Sequence, residues 1–174
     1  MSEIWIFRQL TVGHSPQLGF QPRIAYDCQS MGAGSQIEHE LATIKAFISR
    51  DKQERFSTFL SKPKNRKKLT QELAHFKWFD PKFATAIPWK VDPSLGLWQR
   101  HLQGIENVHR LLKSKGAGKT CWAMSADADL DGKELELESV LERVFDSDTG
   151  TILSCLPGRL GLYSGEDEKL LLAR

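Results

Sequence analysis

The chain has 174 residues, 40% hydrophobic and 26% charged, with a net charge of +2 at pH 7. That is the composition of a folded globular protein with material for a full core, and it argues against wholesale disorder. No apolar run approaches the roughly 18 residues that span a bilayer, so a membrane partner is not expected.

The opening MSEIWIFRQL carries an acid at Glu3 and lacks the pattern of a secretory signal. Residues 1–35 form a loop-rich N-terminal segment in this reading, because Gly13 to Gly34 is rich in Gly and Pro and shows no sustained period. From Ser35 the pattern turns helical. Ile37, Leu41, Ile44 and Ile48 recur at helical spacing, and Ser35 with Glu38 resembles a capping box, which predicts a helix over 36–49. Asp51 is placed to cap a second helix, 52–60, with Phe56, Phe59 and Leu60 on one side. Pro63 suits the first turn of a third, whose apolar stripe is Leu69, Leu73 and Phe76. A Pro-anchored loop with Trp78 and Trp89 follows, then a helix at about 95–114. Its stripe is read as Trp98, Leu102, Ile105, His109 and Leu112, and Gly116 stops it.

Beyond Gly118 the period changes. TCWAMSA reads as a buried strand, LELESVLERVF contains a short helix, and GTILSC, GRLGLYS and KLLLA read as three further strands. The strand–helix–strand piece is long enough for a right-handed crossover, and the last three strands suit antiparallel neighbours. The expected fold is therefore α+β. One domain over 36–174 has helices in 36–115 packed on a small mixed sheet formed by 119–174.

Charge is distributed unevenly. Residues 45–82 hold eleven Lys/Arg against four Asp/Glu, a surplus of seven positive charges; residues 121–174 hold five against twelve, a surplus of seven negative ones. Such a layout bears on partners more than on fold. The densest run is Lys62, Lys64, Arg66, Lys67 and Lys68, in which Lys64, Lys67 and Lys68 share a helix face turned away from the Leu69 stripe. Trp78 and Trp89 interleave aromatics with Lys77, Lys82 and Lys90. Cations at close spacing with flat side chains nearby suit a nucleic-acid partner. A solvated helix face, or a contact with the acidic half, accounts for the same residues more plainly.

Two motifs adjoin in the middle of the chain. Gly118-Lys119-Thr120 ends like a phosphate-binding loop, but Lys113 stands where the first glycine belongs, and a helix precedes where a strand is required. Lys115 and Lys119 are better explained as cations near a helix C-terminus. Asp127, Asp129, Asp131, Gly132 and Glu138 match a calcium loop literally. A strand-like entry, Glu134 at a normally apolar position and the lack of a partner loop favour instead an acidic turn bent at Asp131-Gly132.

The five histidines, His14, His39, His75, His101 and His109, show no metal-ligand spacing, and His75 beside Phe76 reads as partly buried. Cys28, Cys121 and Cys155 are widely spaced with no CxxC, which argues against a disulfide framework and points to the cytoplasm. Ser154 and Cys155 end the strand 151–155, a place where nucleophiles sit, but their flanks ILSCL are not those of a nucleophile elbow.

FLSKPKNRKKLTQELAHFKWFDPKF and GTILSCLPGRLGLYSGEDEKLLL resemble segments of small uncharacterised bacterial proteins of unknown function. The resemblance spans roughly 50–174. It implies a bacterial cytoplasmic origin and an α+β domain, and it carries no catalytic or binding residue across. The sequence thus leaves several readings standing: a non-enzymatic interaction or regulatory protein, nucleic-acid associated through its basic helix; an enzyme with a Cys/His or Ser/His site near the end of strand 151–155; or a calcium-binding loop over 127–138. No cofactor is implied.

Overall fold

The computed structural model describes residues 33–174, except 74, 89, 90 and 167. Of the N-terminal segment, residues 1–32, with His14 and Cys28, lie outside the described residues. Residues 33–35 are already helical, so Ser35 lies within the first helix and does not cap it.

Among the described residues five α-helices and six strands follow in the order α1 (Ala33–Phe47), α2 (Arg50–Leu60), α3 (Arg66–Leu73), β1 (Ala84–Ala86), α4 (Leu97–Ser114), β2 (Thr120–Ser125), β3 (Glu134–Glu136), α5 (Leu137–Phe145), β4 (Thr151–Leu156), β5 (Leu160–Ser164) and β6 (Lys169–Ala173). The fold is α+β. Its sheet runs β1-β6-β5-β4-β2-β3 and is antiparallel at every pairing. This corrects the mixed sheet expected from the sequence. The chain leaving β2 turns back at once into β3, and after α5 it re-enters as β4 running opposite to β2, so no parallel crossover is made.

The helices cover both faces of the sheet, a point on which the sequence is silent. Alternation along β4 explains how. Leu153 and Cys155 join a core with Ile105, Val108 and Leu112 of α4 and Leu137, Val140, Leu141 and Val144 of α5. Ile152, one residue out of phase, joins the opposite core with Ile44 and Phe47 of α1, Phe56 of α2, and Leu69 and Leu73 of α3. A strand buried on both faces reads as a continuous apolar run, which is why TILSC and TCWAMS contain no charge. The hydroxyls that fall inside are bonded: Thr43 Oγ1 donates to Ser154 Oγ at 3.0 Å, and Ser125 Oγ meets Thr151 Oγ1 at 2.7 Å.

Three smaller readings also change. Ser49, not Asp51, occupies the N-cap position of α2, and Asp51 pairs instead with Lys52 at 2.9 Å. Trp98 and Leu102 are 66% and 42% exposed, because α4 turns Gly104, Ile105, Val108 and Leu112 to the sheet. His75 is exposed.

Candidate nucleic-acid interface

The basic run lies on a surface built by α2, the turn 63–65 and α3. Phe56 anchors α2 in the core, and Leu69, Thr70 and Leu73 anchor α3. With those positions turned inward, helical geometry sends Lys67 and Lys68 outward. Pro63 opens a 3-10 turn, Pro63–Asn65, that keeps Lys62 and Lys64 on the outside. All four lysines are exposed.

The loop carrying Trp78 is tied beside α2 by backbone bonds. Ser49 N donates to Trp78 O and Asp80 N to Phe47 O, each at 2.8 Å. Trp78 and Phe59 then flank Phe56 at ring separations of 6.2 and 6.3 Å. Cations lie over both outer rings. Lys68 Nζ and the Arg55 guanidinium stand 5.2 and 5.5 Å from the Phe59 centroid. Lys77 Nζ and Lys52 Nζ stand 4.8 and 5.7 Å from that of Trp78. The aromatic faces thus hold the charged groups themselves, contacts worth about 0.5–1 kcal/mol each at exposed sites. Trp78 is already covered by amino groups, which makes it a scaffold for charge more than an open stacking platform. Trp89 and Lys90 lie outside the described residues.

Arg66 behaves differently from its neighbours. Its guanidinium turns inward and forks onto two carboxylates, at 2.6 Å to both Glu40 oxygens and 2.6 and 2.7 Å to those of Asp131. Glu40 is 1% exposed. Burial works against the Arg66 charge, but the hydrogen bonds and attraction of Asp131 and Glu40 outweigh it and hold its pKa above the ordinary guanidinium value. The triad ties α1, α3 and the β2–β3 turn together. Arg66 is therefore structural, and it leaves the candidate binding set.

The same triad takes Asp131 out of the calcium motif. Besides Arg66, Asp131 Oδ1 accepts from Ser125 N at 3.1 Å. Asp127 Oδ1 accepts from Asp129 N at 2.8 Å, an Asx turn, and Asp127 Oδ2 lies 3.7 Å from Arg143. Glu138 sits exposed in the first turn of α5. The bend falls at Gly132, with φ 69°, where an added Cβ would meet Gln36 Nε2 at 2.5 Å. Among the described residues no three His, Cys, Asp or Glu side chains are grouped to hold a metal.

Ser154 and Cys155 face opposite sides of β4. Ser154 is spent on Thr43, and Cys155 lies across from Cys121 on β2, both thiols buried and unbridged. The contact with Cys155, together with burial, pushes the Cys121 thiol well above the ordinary thiol range. A neutral, buried thiol is a poor nucleophile. The described histidines lie elsewhere: His39 tilts against Trp122 at 5.8 Å, and His101 stacks on Trp98 at 5.8 Å and reaches Asp146 at 2.8 Å. After Ser114 ends α4, Gly118-Lys119-Thr120 leads into β2, the reverse of a phosphate-loop context.

No family model matches the chain, and neither the curated proteins nor the solved structures provide a match. Among the described residues no helix is long and apolar enough to cross a membrane.

The sequence missed the division of the basic run. Its one local signal is that Arg66 is the single arginine among lysines, and only a planar fork serves two carboxylates at once.

Proposed function

We propose that this is a non-enzymatic binding protein that holds the phosphate backbone of a nucleic acid on the α2–α3 face. One observation carries the reading: Lys62, Lys64, Lys67, Lys68 and Lys77 are exposed, and none has a carboxylate at ion-pair distance among the described residues. Unpaired cations packed this closely repel one another, and a polyanion relieves that repulsion while releasing its own counterions. Because the rings are covered by amino groups, recognition runs through phosphates and is insensitive to base sequence. The adjacent reduced thiols Cys121 and Cys155 favour a cytoplasmic setting.

The test is fluorescence anisotropy with RNA and DNA oligonucleotides across a salt series. Engagement of all five lysines gives a log–log salt slope of roughly −4.5, from about −0.9 per phosphate neutralised on duplex DNA. Absence of binding at low salt overturns the reading.

A further inference from the structure

A second cationic site lies in the otherwise acidic part of the chain. Residues 121–174 contain only five Lys/Arg against twelve Asp/Glu. Three of the five are engaged locally: Lys133 Nζ donates to Asp129 O, Arg143 approaches Asp127, and Lys169 Nζ donates to Gly165 O. The other two, Arg159 and Arg174, line one cleft of about 210 Å³ together with Lys115, and no acidic side chain lines it. Leu156, Leu160 and Ala173 supply its apolar lining.

Three separate segments deliver these cations, and backbone bonds fix each. Arg159 lies in the β4–β5 turn, its N–H bonded to Leu156 O at 3.0 Å. Arg174 follows β6, its N–H bonded to Arg159 O at 2.9 Å, which sets the two arginines side by side. The Arg174 guanidinium lies 4.9 Å from the Phe83 ring. Lys115 caps α4. There the carbonyls of Leu111, Leu112 and Lys113 are taken up by the N–H groups of Lys115, Gly116 and Ala117, so the helix end presents the lysine charge and not bare carbonyls. Gly116, at φ 94°, makes this turn, and a Cβ there would lie 3.9 Å from Leu156. Among the described residues neither Arg159 nor Lys115 has a carboxylate at ion-pair distance.

We propose that this cleft binds a small phosphate monoester. Two arginines and a lysine in the lining supply positive charge for the oxygens of a phosphoryl group, and Leu156, Leu160 and Ala173 take a short apolar body. The volume is below the several hundred Å³ of drug-sized pockets, which limits the ligand to a small one. The site shares no residue with the lysine face, so its failure and that of the nucleic-acid reading are distinguishable by separate variants.

Calorimetric titration of the full chain with inorganic phosphate and with phenyl phosphate tests this. The expected result is saturable one-to-one binding of phenyl phosphate with a Kd of about 1 mM or lower, tighter than that of inorganic phosphate. Arg159→Glu and Arg159→Gln each weaken it at least about tenfold, the direction expected for loss of a charge-assisted fork. The triple variant K64E/K67E/K68E leaves it within about twofold, as distant independent sites do. Melting temperatures confirm that each variant is folded. No saturable binding, unchanged binding in either Arg159 variant, or loss in the triple variant overturns the proposal. Equal affinity for the two probes overturns the apolar part of it.

Discussion

Residues 45–82 and residues 121–174 carry equal and opposite charge surpluses, and the two stretches use them differently. Among the described residues one ion pair joins them, Arg66 to Asp131. Four of the acids are drawn into local structure: Asp127 and Asp131 accept backbone N–H groups, Glu134 accepts from Thr120 at 2.6 Å, and Glu136 accepts from Ser139 at 2.9 Å. In the basic stretch Lys52 and Arg55 have carboxylate partners, at 2.9 and 2.6 Å, while the lysines at 62, 64, 67, 68 and 77 project into water. Side-chain length accounts for the contrast. A short Asp reaches its own backbone and makes a turn. A lysine carries its charge on a long stem away from its own backbone, and Lys68 and Lys77 set theirs over the rings of Phe59 and Trp78. Four of the acids are thus spent on local structure, while these five lysines keep their charge at the surface.

The largest test of this contrast is Arg66→Ala. It strands Glu40 and Asp131 without their cation, and removing one partner of a buried pair costs about 3–5 kcal/mol. Lys64→Ala, two residues away, stays within about 0.5 kcal/mol, as for an ordinary surface substitution. Chemical denaturation measures both, and equal losses would erase the distinction drawn between Arg66 and the lysines.

Next in size is the effect of K64E/K67E/K68E on binding. Removing three phosphate contacts makes the log–log salt slope shallower by about 3 and abolishes binding at moderate salt, while the melting temperature is kept. Unchanged affinity would show that these lysines are only a solvated helix face.

A smaller effect is set by pH. Burial lowers the pKa of His39 below 6.5, against the opposing pull of Glu134, Glu38 and Glu40. The unfolded chain therefore binds the proton more readily than the folded one. Stability is full above the unfolded value of 6.5 and falls as pH drops below it. His39→Gln flattens that part of the stability–pH curve. If the curve keeps its shape, His39 is not its source.

The smallest effect is expected in the acidic turn. Arg143→Ala breaks a 3.7 Å contact with Asp127 between side chains that are 50% and 35% exposed, and surface pairs of this kind contribute about 0–1 kcal/mol. A larger loss would mean that the turn depends on Arg143 as the triad depends on Arg66.

Much of the element list was legible in the sequence. The uncharged run TCWAMS announced a buried strand and TILSC a strand, and the stripe of α5 fell where the structure has it; of the other two stripes Phe56, Leu69 and Leu73 are buried, while Phe76 lies past the end of α3 in a 3-10 turn. Two strands were not legible, β1 and β3, of three residues each at the two edges of the sheet. An edge strand this short shows no periodicity, and Glu134–Glu136 runs straight into α5 without a turn signal. The exposure of Lys67 and Lys68 followed from helical spacing against Leu69, whereas Lys64 sits in the 3-10 turn before α3 and not on the helix face read for it. The inward turn of Arg66 did not follow, because its partners lie 26 and 65 residues away.

What the sequence determined by itself was local: where the backbone is helical or extended, which stretches are buried, and how charge divides along the chain. These follow from side-chain periodicity and from the turn chemistry of Gly and Pro, which act over a few residues. Only the tertiary structure decided that the helices divide between both faces of an antiparallel sheet, that Arg66 leaves its lysine neighbours for Glu40 and Asp131, and that Lys115, Arg159 and Arg174 meet in one cleft. Each of these joins residues far apart in the chain. An apolar stripe states that a helix must be covered, not by which face of which sheet, and a charge states that it needs a counterion or water, not which one.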